Sequence, residues 1–289
     1  MTHSEYHWKS ADGLDIFAQS WMPGGKPKAI INLVHGLGDH SGRFAEWAAW
    51  FVEAGYGFLA LDYRGHGRSG GKRGHAGSYE LLMQDIDLLL SKCRELFPSV
   101  PEVLYGHSMG GNMVINYCIR YKPGIIALVA TSPWLRLAFE PPRVTIFVGN
   151  LLKKMFPSMQ NANGLVASQL SRDPGVGKLY TADPLVHNKI SLSTFFAVTL
   201  AGKEAIQNSR RISVPFLLMH GSGDLITSHK ASQDLVTTAG DTITFRLWDG
   251  CCHELHNETN KKEIFQFLLK WLEEQQSATE AGKDRNGYF

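Results

Sequence analysis

A serine, an aspartate and a histidine stand in this chain at spacings that suit nucleophilic catalysis. Ser108 lies in Gly106-His107-Ser108-Met109-Gly110, with strand-like Glu102 to Tyr105 leading in and helix-like Asn112 to Tyr121 leading away. G-x-S-x-G between a strand and a helix is the pattern of a nucleophile elbow, a turn so sharp that the serine hydroxyl is pushed into the open. Residues two positions either side come too close to carry a Cβ, hence glycine. A serine nucleophile needs a base for its proton and an acid to orient that base. With an elbow serine these follow in the order Ser, Asp or Glu, His. Asp224, in Gly221-Ser222-Gly223-Asp224, comes directly after the apolar run Val214 to His220, where the acid belongs. Asp249 also follows a strand and is its rival. His253, in Gly250-Cys251-Cys252-His253, falls between the last strand and the last helix, as the base should. His256 is the alternative; His253 is favoured because the loop leaving Gly250 brings it back over the strand ends sooner. An oxyanion hole needs two backbone N–H groups. Met109, just after the serine, offers one, and Leu37 in His35-Gly36-Leu37-Gly38 offers the other. His35 itself reads as a structural histidine bonding the loop, and His187 and His229 as ordinary surface or insertion residues.

The elements that must position these groups alternate along the chain. Tyr6 to Lys9 and Leu14 to Trp21 flank Asp12-Gly13, a hairpin signal. Ala29 to Val34 is a continuous apolar run, as expected of a strand covered on both faces. A helix from Arg43 to Ala54, a strand from Gly57 to Leu61, a helix from Glu80 to Phe97 and a strand from Ile125 to Ala130 follow. The rhythm resumes with a strand at Val214 to His220, a helix at His229 to Ala239, a strand at Thr242 to Trp248 and a helix at Asn260 to Gln275. The fold class is therefore α/β, a mostly parallel central sheet with helices on both faces.

One segment breaks the alternation. Residues 133–203 are expected to form a mainly helical lid inserted after the sixth strand, with 1–132 and 204–289 as the core. It holds an apolar helix, Val144 to Phe156, a loop over Pro157 to Gly177, and a second apolar run, Ile190 to Leu200. The tail, 277–289, is polar and is expected to be frayed.

Composition narrows the function. The chain has 289 residues, 44% hydrophobic and 19% charged, with a formal net charge of +2, values of a globular protein with no nucleic-acid-binding character. Its four cysteines, Cys93, Cys118, Cys251 and Cys252, form neither a disulfide framework nor a zinc motif. Modification of the Cys251 or Cys252 thiol would disturb neighbouring His253, although two small loop residues is the simpler reading. No run is long and apolar enough for a bilayer span, and Met1-Thr2-His3-Ser4-Glu5 lacks a secretory signal pattern. The expectation is a reduced, cytoplasmic protein needing neither cofactor nor metal. Lys153 and Lys154 among large apolar residues give the Val144 to Phe156 helix a composition that suits a membrane surface, the alternative being that this face packs on the core.

Taken in order, several segments together resemble the α/β-hydrolase superfamily and, within it, the monoacylglycerol lipase and lysophospholipase-like branch. They are His35 to Arg43, Asp62-Tyr63-Arg64-Gly65-His66-Gly67-Arg68-Ser69, Gly106 to Gly111, Ala182-Asp183-Pro184-Leu185, Val214-Pro215-Phe216-Leu217, Gly221 to Asp224 and Cys252 to Glu258. The resemblance implies an α/β-hydrolase fold with Ser108 as nucleophile, Asp224 as acid and His253 as base. It further implies that Asp39, Arg43, Tyr180 and His256 hold a glycerol head, with aspartate at 39 where vertebrate enzymes carry glutamate. The expected activity is cleavage of monoacylglycerols to fatty acid and glycerol through an acyl-enzyme. A lysophospholipase or general carboxylesterase on the same triad is the alternative, and a non-catalytic ligand-binding protein the remote one. The partner is a small lipid ester, and aspartate-dependent dehalogenase or epoxide-hydrolase chemistry is excluded by serine at the elbow.

Overall fold

A computed structural model of the chain describes residues 1–286, with side chains described through Ser277. Its strands are β1 (Thr2–Lys9), β2 (Asp15–Met22), β3 (Ile30–Val34), β4 (Gly57–Asp62), β5 (Glu102–His107), β6 (Ala127–Thr131), β7 (Gln160–Ala162), β8 (Lys189–Ser191), β9 (Phe216–Gly221) and β10 (Ile243–Trp248). Its α-helices are α1 (Ala45–Glu53), α2 (Tyr79–Leu96), α3 (Met109–Tyr121), α4 (Arg143–Met155), α5 (Pro174–Ala182), α6 (Leu192–Asn208), α7 (His229–Ala239) and α8 (Lys261–Asn286). One eight-stranded sheet runs in the order β1-β2-β4-β3-β5-β6-β9-β10. β1 and β2 form the expected antiparallel hairpin, β2 pairs antiparallel with β4, and every later pairing in this sheet is parallel.

The continuous apolar runs feed two cores, because successive side chains of a strand point to opposite faces. In β5, Val103 and Tyr105 pack with Trp47 and Phe51 of α1 and with Leu268 and Trp271 of α8. Leu104, between them, packs on the other face with Ile86 and Leu90 of α2, Ile115 of α3 and Leu235 of α7. The helices on both faces start where polar caps direct them. Ser78 accepts from Leu81 N at the head of α2, and Ser228 from Ala231 N at the head of α7.

The segment between β6 and β9 departs in detail from expectation. The stretch read as loop, Pro157 to Gly177, contains β7 and the first turn of α5, and β7 pairs antiparallel with β8. The helix α5 is set by Asp173, whose carboxylate accepts from Gly175 N, and by Pro174 at its first position. The second apolar run becomes β8 and α6, and α6 joins the main body. Asn112 and Asn116 of α3 donate to the carbonyls of Val198 and Ala201, and a Cβ on Gly202 would collide with the Leu135 carbonyl. The tail expected to fray from residue 277 lies partly outside the described residues; the backbone of α8 continues through Asn286.

Candidate active site

The elbow lies where β5 passes into α3. Ser108 has φ +55° and ψ −117°, a conformation that side-chain-bearing residues rarely adopt and that costs on the order of 1–3 kcal/mol. Packing on every side enforces it. A Cβ on Gly110 would strike the Val34 and His35 carbonyls, and one on Gly106 would strike the Gly110 carbonyl and Val114. Both glycines are therefore required by close approach. Ser108 N donates to Thr131 O at 3.0 Å, and Trp134 N donates to Ser108 O at 2.9 Å. The result is a hydroxyl held at the C-terminal edge of the sheet, where loops from β3, β6, β9 and β10 converge.

The structure brings together the groups singled out by spacing. His253 Nε2 lies 2.9 Å from Ser108 Oγ, and His253 Nδ1 lies 2.7 Å from Asp224 Oδ2. Because the carboxylate can only accept, Nδ1 carries the hydrogen and Nε2 is free to accept from the serine hydroxyl. Burial alone would lower the His253 pKa, but the charge and hydrogen bond of Asp224 outweigh it and raise it. Asp224 is held well below the usual carboxylate range; burial opposes this, and His253 and His220 overcome it. The rivals are placed elsewhere. Asp249 accepts from the Ser222 hydroxyl at 3.0 Å at an exposed turn. The His256 ring stacks on Phe44 at 4.2 Å, buried, with neither ring nitrogen partnered among the described residues. Burial drives His256 down to about 4.

The Asp224 loop is anchored to the start of the insertion. Thr227 bridges to Leu137, Ser228 N donates to Arg136 O, and Ala138 N donates to Ile226 O. The loop carrying Leu37 is anchored as well. His35 Nδ1 bonds Gly36 O at 2.8 Å, Tyr63 donates its hydroxyl to the same carbonyl, and His187 N donates to Gly38 O at 3.0 Å. His35 is thus the structural residue expected, whereas His187 is a clasp between the insertion and this loop. Among the described residues, no turn or loop hydrogen bond engages Leu37 N, and Met109 N stands at the first position of α3, directly after the serine.

Ser108, His107, His253 and Leu37 line a cavity of about 510 Å³. Most of its wall is apolar, from Trp134, Leu137, Ile146, Leu165, Phe195 and Phe196 among others. Two of the four residues expected at a polar head also line it, Asp39 and Tyr180. Asp39 Oδ2 and the Tyr180 hydroxyl are buried and unpartnered among the described residues. Arg43 and His256 stand behind this wall rather than in it. Arg43 reaches Asp39 Oδ1 at 3.0 Å, spans both Glu254 oxygens at 2.7 Å, and lies 4.8 Å from the Tyr180 ring centre. Glu254, which lines the cavity, was not singled out from the sequence. Its signal was present in Cys252-His253-Glu254-Leu255-His256, but its partner Arg43 lies 211 positions away. His220 and Thr227, both bonded to Asp224, were also missed.

Cys251 and Cys252 are not activated. Cys251 is buried with its sulfur 3.3 Å from Arg172 and from Asn260, and burial pushes its thiol up to about 11. Burial, with Glu258 adding to it, raises Cys252 too.

Taken together, a hydroxyl held at a strained elbow, an imidazole paired with it and an apolar cavity around them can carry out acyl transfer. Known proteins agree with that chemistry. Residues 25–260 match the family described as serine aminopeptidase, S33. An abhydrolase domain-containing protein of Dictyostelium discoideum is 36% identical over 277 residues, 95% of this chain but 29% of that protein, so this chain spans under a third of that relative. The monoacylglycerol lipase of Mycolicibacterium smegmatis is 32% identical over 94% of this chain and 97% of its own length. The crystal structure of Paleococcus ferrophilus monoacylglycerol lipase superposes with a TM-score of 0.80 at 32% identity, covering 95% of this chain and all of that one (100%). The chain belongs to the serine aminopeptidase S33 family of α/β-hydrolases and, within it, to the monoacylglycerol lipase-like serine ester hydrolases.

Proposed function

We propose that this protein hydrolyses monoacylglycerols to fatty acid and glycerol through an acyl-enzyme on Ser108. The observation that carries the reading is the Ser108–His253–Asp224 relay opening onto an apolar cavity whose polar wall offers an unpartnered carboxylate oxygen and an unpartnered phenol. Ser108 Oγ attacks the ester carbonyl while His253 accepts its proton, and Asp224 holds the imidazolium that forms. The N–H groups of Leu37 and Met109 receive the oxyanion. His253 then protonates the departing glycerol, and water removes the acyl group by the reverse roles.

The head-group end favours a neutral polyol. Arg43 is spent on Glu254 and Asp39, so its positive charge is outnumbered by two carboxylates. Asp39 Oδ2 needs a donor, which a hydroxyl supplies and a phosphodiester does not. Asp39→Asn is expected to raise KM for a monoacylglycerol about tenfold, as loss of a charged hydrogen-bond acceptor should. Turnover of a short p-nitrophenyl ester should barely change. Equal effects on both esters would remove Asp39 from the head-group site.

The insertion acts as a lid with one face toward the substrate and one toward a lipid surface. Ile146 and Gly149 of α4 line the cavity, while Val144 and Phe147 are each 74% exposed and Met155 71%. No helix among the described residues is long and apolar enough to cross a membrane. An exposed apolar stripe ending in Lys153 and Lys154 suits peripheral contact with an anionic bilayer. Phe147→Ser with Leu151→Ser should lower binding to phosphatidylserine vesicles at least about tenfold. Hydrolysis of a soluble short ester should persist. Wild-type protein that stays in the supernatant with such vesicles would end this reading.

The activity itself is tested on 1- and 2-monoacylglycerols, a lysophospholipid, a diacylglycerol and a short p-nitrophenyl ester, with Ser108→Ala as control. Fatty acid released from monoacylglycerols, and abolished in the variant, is the expected result. Hydrolysis of the short ester alone would keep the triad and reject the glyceride.

A further inference from the structure

The catalytic histidine is not the only imidazole on Asp224. His220, near the end of β9 and fully buried, places Nε2 3.1 Å from Asp224 Oδ2, the oxygen that also meets His253. The same nitrogen lies 3.2 Å from Thr227 O. Both neighbours accept, so Nε2 carries the hydrogen. Nδ1 in turn sits 2.8 Å from Ser232 Oγ, on the buried face of α7, and accepts from that hydroxyl. A continuous line of hydrogen bonds therefore runs from α7 through Ser232, His220, Asp224 and His253 to Ser108.

The carboxylate has no spare capacity on Oδ2, where His253 Nδ1 (2.7 Å), Thr227 Oγ1 (2.8 Å) and His220 Nε2 (3.1 Å) all converge. Oδ1 receives Ile226 N at 2.7 Å and Thr227 N at 3.0 Å. Donors on both oxygens lock the plane of the carboxylate, so that Oδ2 stays aimed at His253. A donor shared with His253 also draws charge from Oδ2, and a less charged partner stabilises the imidazolium less.

We propose that His220 is a positioning residue for the hydrolysis: acting through Asp224, it orients His253 and moderates its basicity. The proposal rests on the reading of Ser108, His253 and Asp224 as nucleophile, base and acid. Other titratable groups face the two rings. His253 faces His107 at 4.9 Å between ring centres, with Glu254 and Asp39 contributing charge. Burial and the neighbouring imidazoles keep His107 well below its ordinary range, and Arg43 neutralises much of the Glu254 and Asp39 charge. On the far side, His220 faces His229 of α7 at 6.3 Å.

The test is the acid limb of the pH profile of kcat/KM. His253 must be neutral to accept the serine proton, so activity rises with pH through its pKa. Removing the His220 donor leaves more charge on Oδ2, favours the imidazolium, and moves the limb to higher pH. His220→Leu should shift it upward by about half to one pH unit, the worth of one hydrogen bond. His220→Gln, which keeps an N–H donor, should stay close to wild type. Ser232→Ala, which weakens the polarisation of His220 without emptying the core, should shift it in the same direction by less, and it decides the matter if the leucine variant does not fold. An unmoved limb in both donor-weakening variants, or a glutamine variant displaced as far as leucine, overturns the proposal. The His253 ring titration followed by NMR reads the same shift without turnover. If the wild type hydrolyses no ester and no serine-directed phosphonate labels Ser108, the hydrolase reading fails, and the ring titration still decides whether His220 tunes His253.

Discussion

Replacing Ser108 by alanine is expected to lower kcat on a monoacylglycerol by roughly 10⁶-fold, the scale seen when a triad nucleophile is removed. Nothing adjacent can substitute. His107 is held by Thr131, and the Ser132 hydroxyl does not line the cavity. On the proposed mechanism, the residual rate would come from binding and from the N–H groups of Leu37 and Met109. The variant also reports the strain in the elbow. Alanine keeps a Cβ at φ +55° and ψ −117°, whereas glycine adopts that conformation freely. Ser108→Gly should be as inactive as alanine yet more stable than it by about 1–2 kcal/mol in urea unfolding, part of the strain offset by the entropy glycine gains on unfolding. Fatty-acid release in single-turnover mixtures gives the first number. Alanine activity within a hundredfold of wild type would mean that the attacking group is not Ser108.

Much of this was readable in the sequence, and the reason is local. A buried parallel strand announces itself as an unbroken apolar run, and the elbow announces itself because close approach of Gly106 and Gly110 to neighbouring backbone forbids a Cβ. The order Ser108, Asp224, His253 then follows from which strand ends can reach one another. What escaped reading depends on distant partners or on weak local signals. Glu254 looks like any loop carboxylate until Arg43, 211 positions earlier in the chain, spans it. His220 looks like the end of a strand until Asp224 turns back over it. The helix α5 was hidden in a Gly- and Ser-rich stretch, although Asp173-Pro174 marked its start, and with it went the framework that brings Tyr180 to the cavity. The outward face of α4 could not be told from a core face by periodicity, because an amphipathic pattern does not say what covers it.

Asp224→Asn should cost about 10⁴-fold in kcat with the fold intact, and the hydrogen bonds around the carboxylate explain why. Oδ1 receives two backbone N–H groups, from Ile226 and Thr227, so the asparagine carbonyl takes that place. The amide nitrogen must then occupy the Oδ2 position, facing the hydrogens on His253 Nδ1 and His220 Nε2. To avoid two donors meeting, His253 moves its hydrogen to Nε2, which points at Ser108 and can no longer accept the serine proton. The same change removes the charge that raises His253. Burial then dominates and the pKa falls. In the wild type, activity is lost as pH drops through the raised value; in the variant that acid limb should move to lower pH, opposite in sign to the shift expected for His220→Leu. Both readings come from kcat/KM measured between about pH 5 and 9, a window that can follow an imidazole in either direction. A loss of less than tenfold, or an acid limb that stays in place, would show that some other carboxylate orients His253. Asp249 cannot be that carboxylate from where it stands, bonded to Ser222 at an exposed turn.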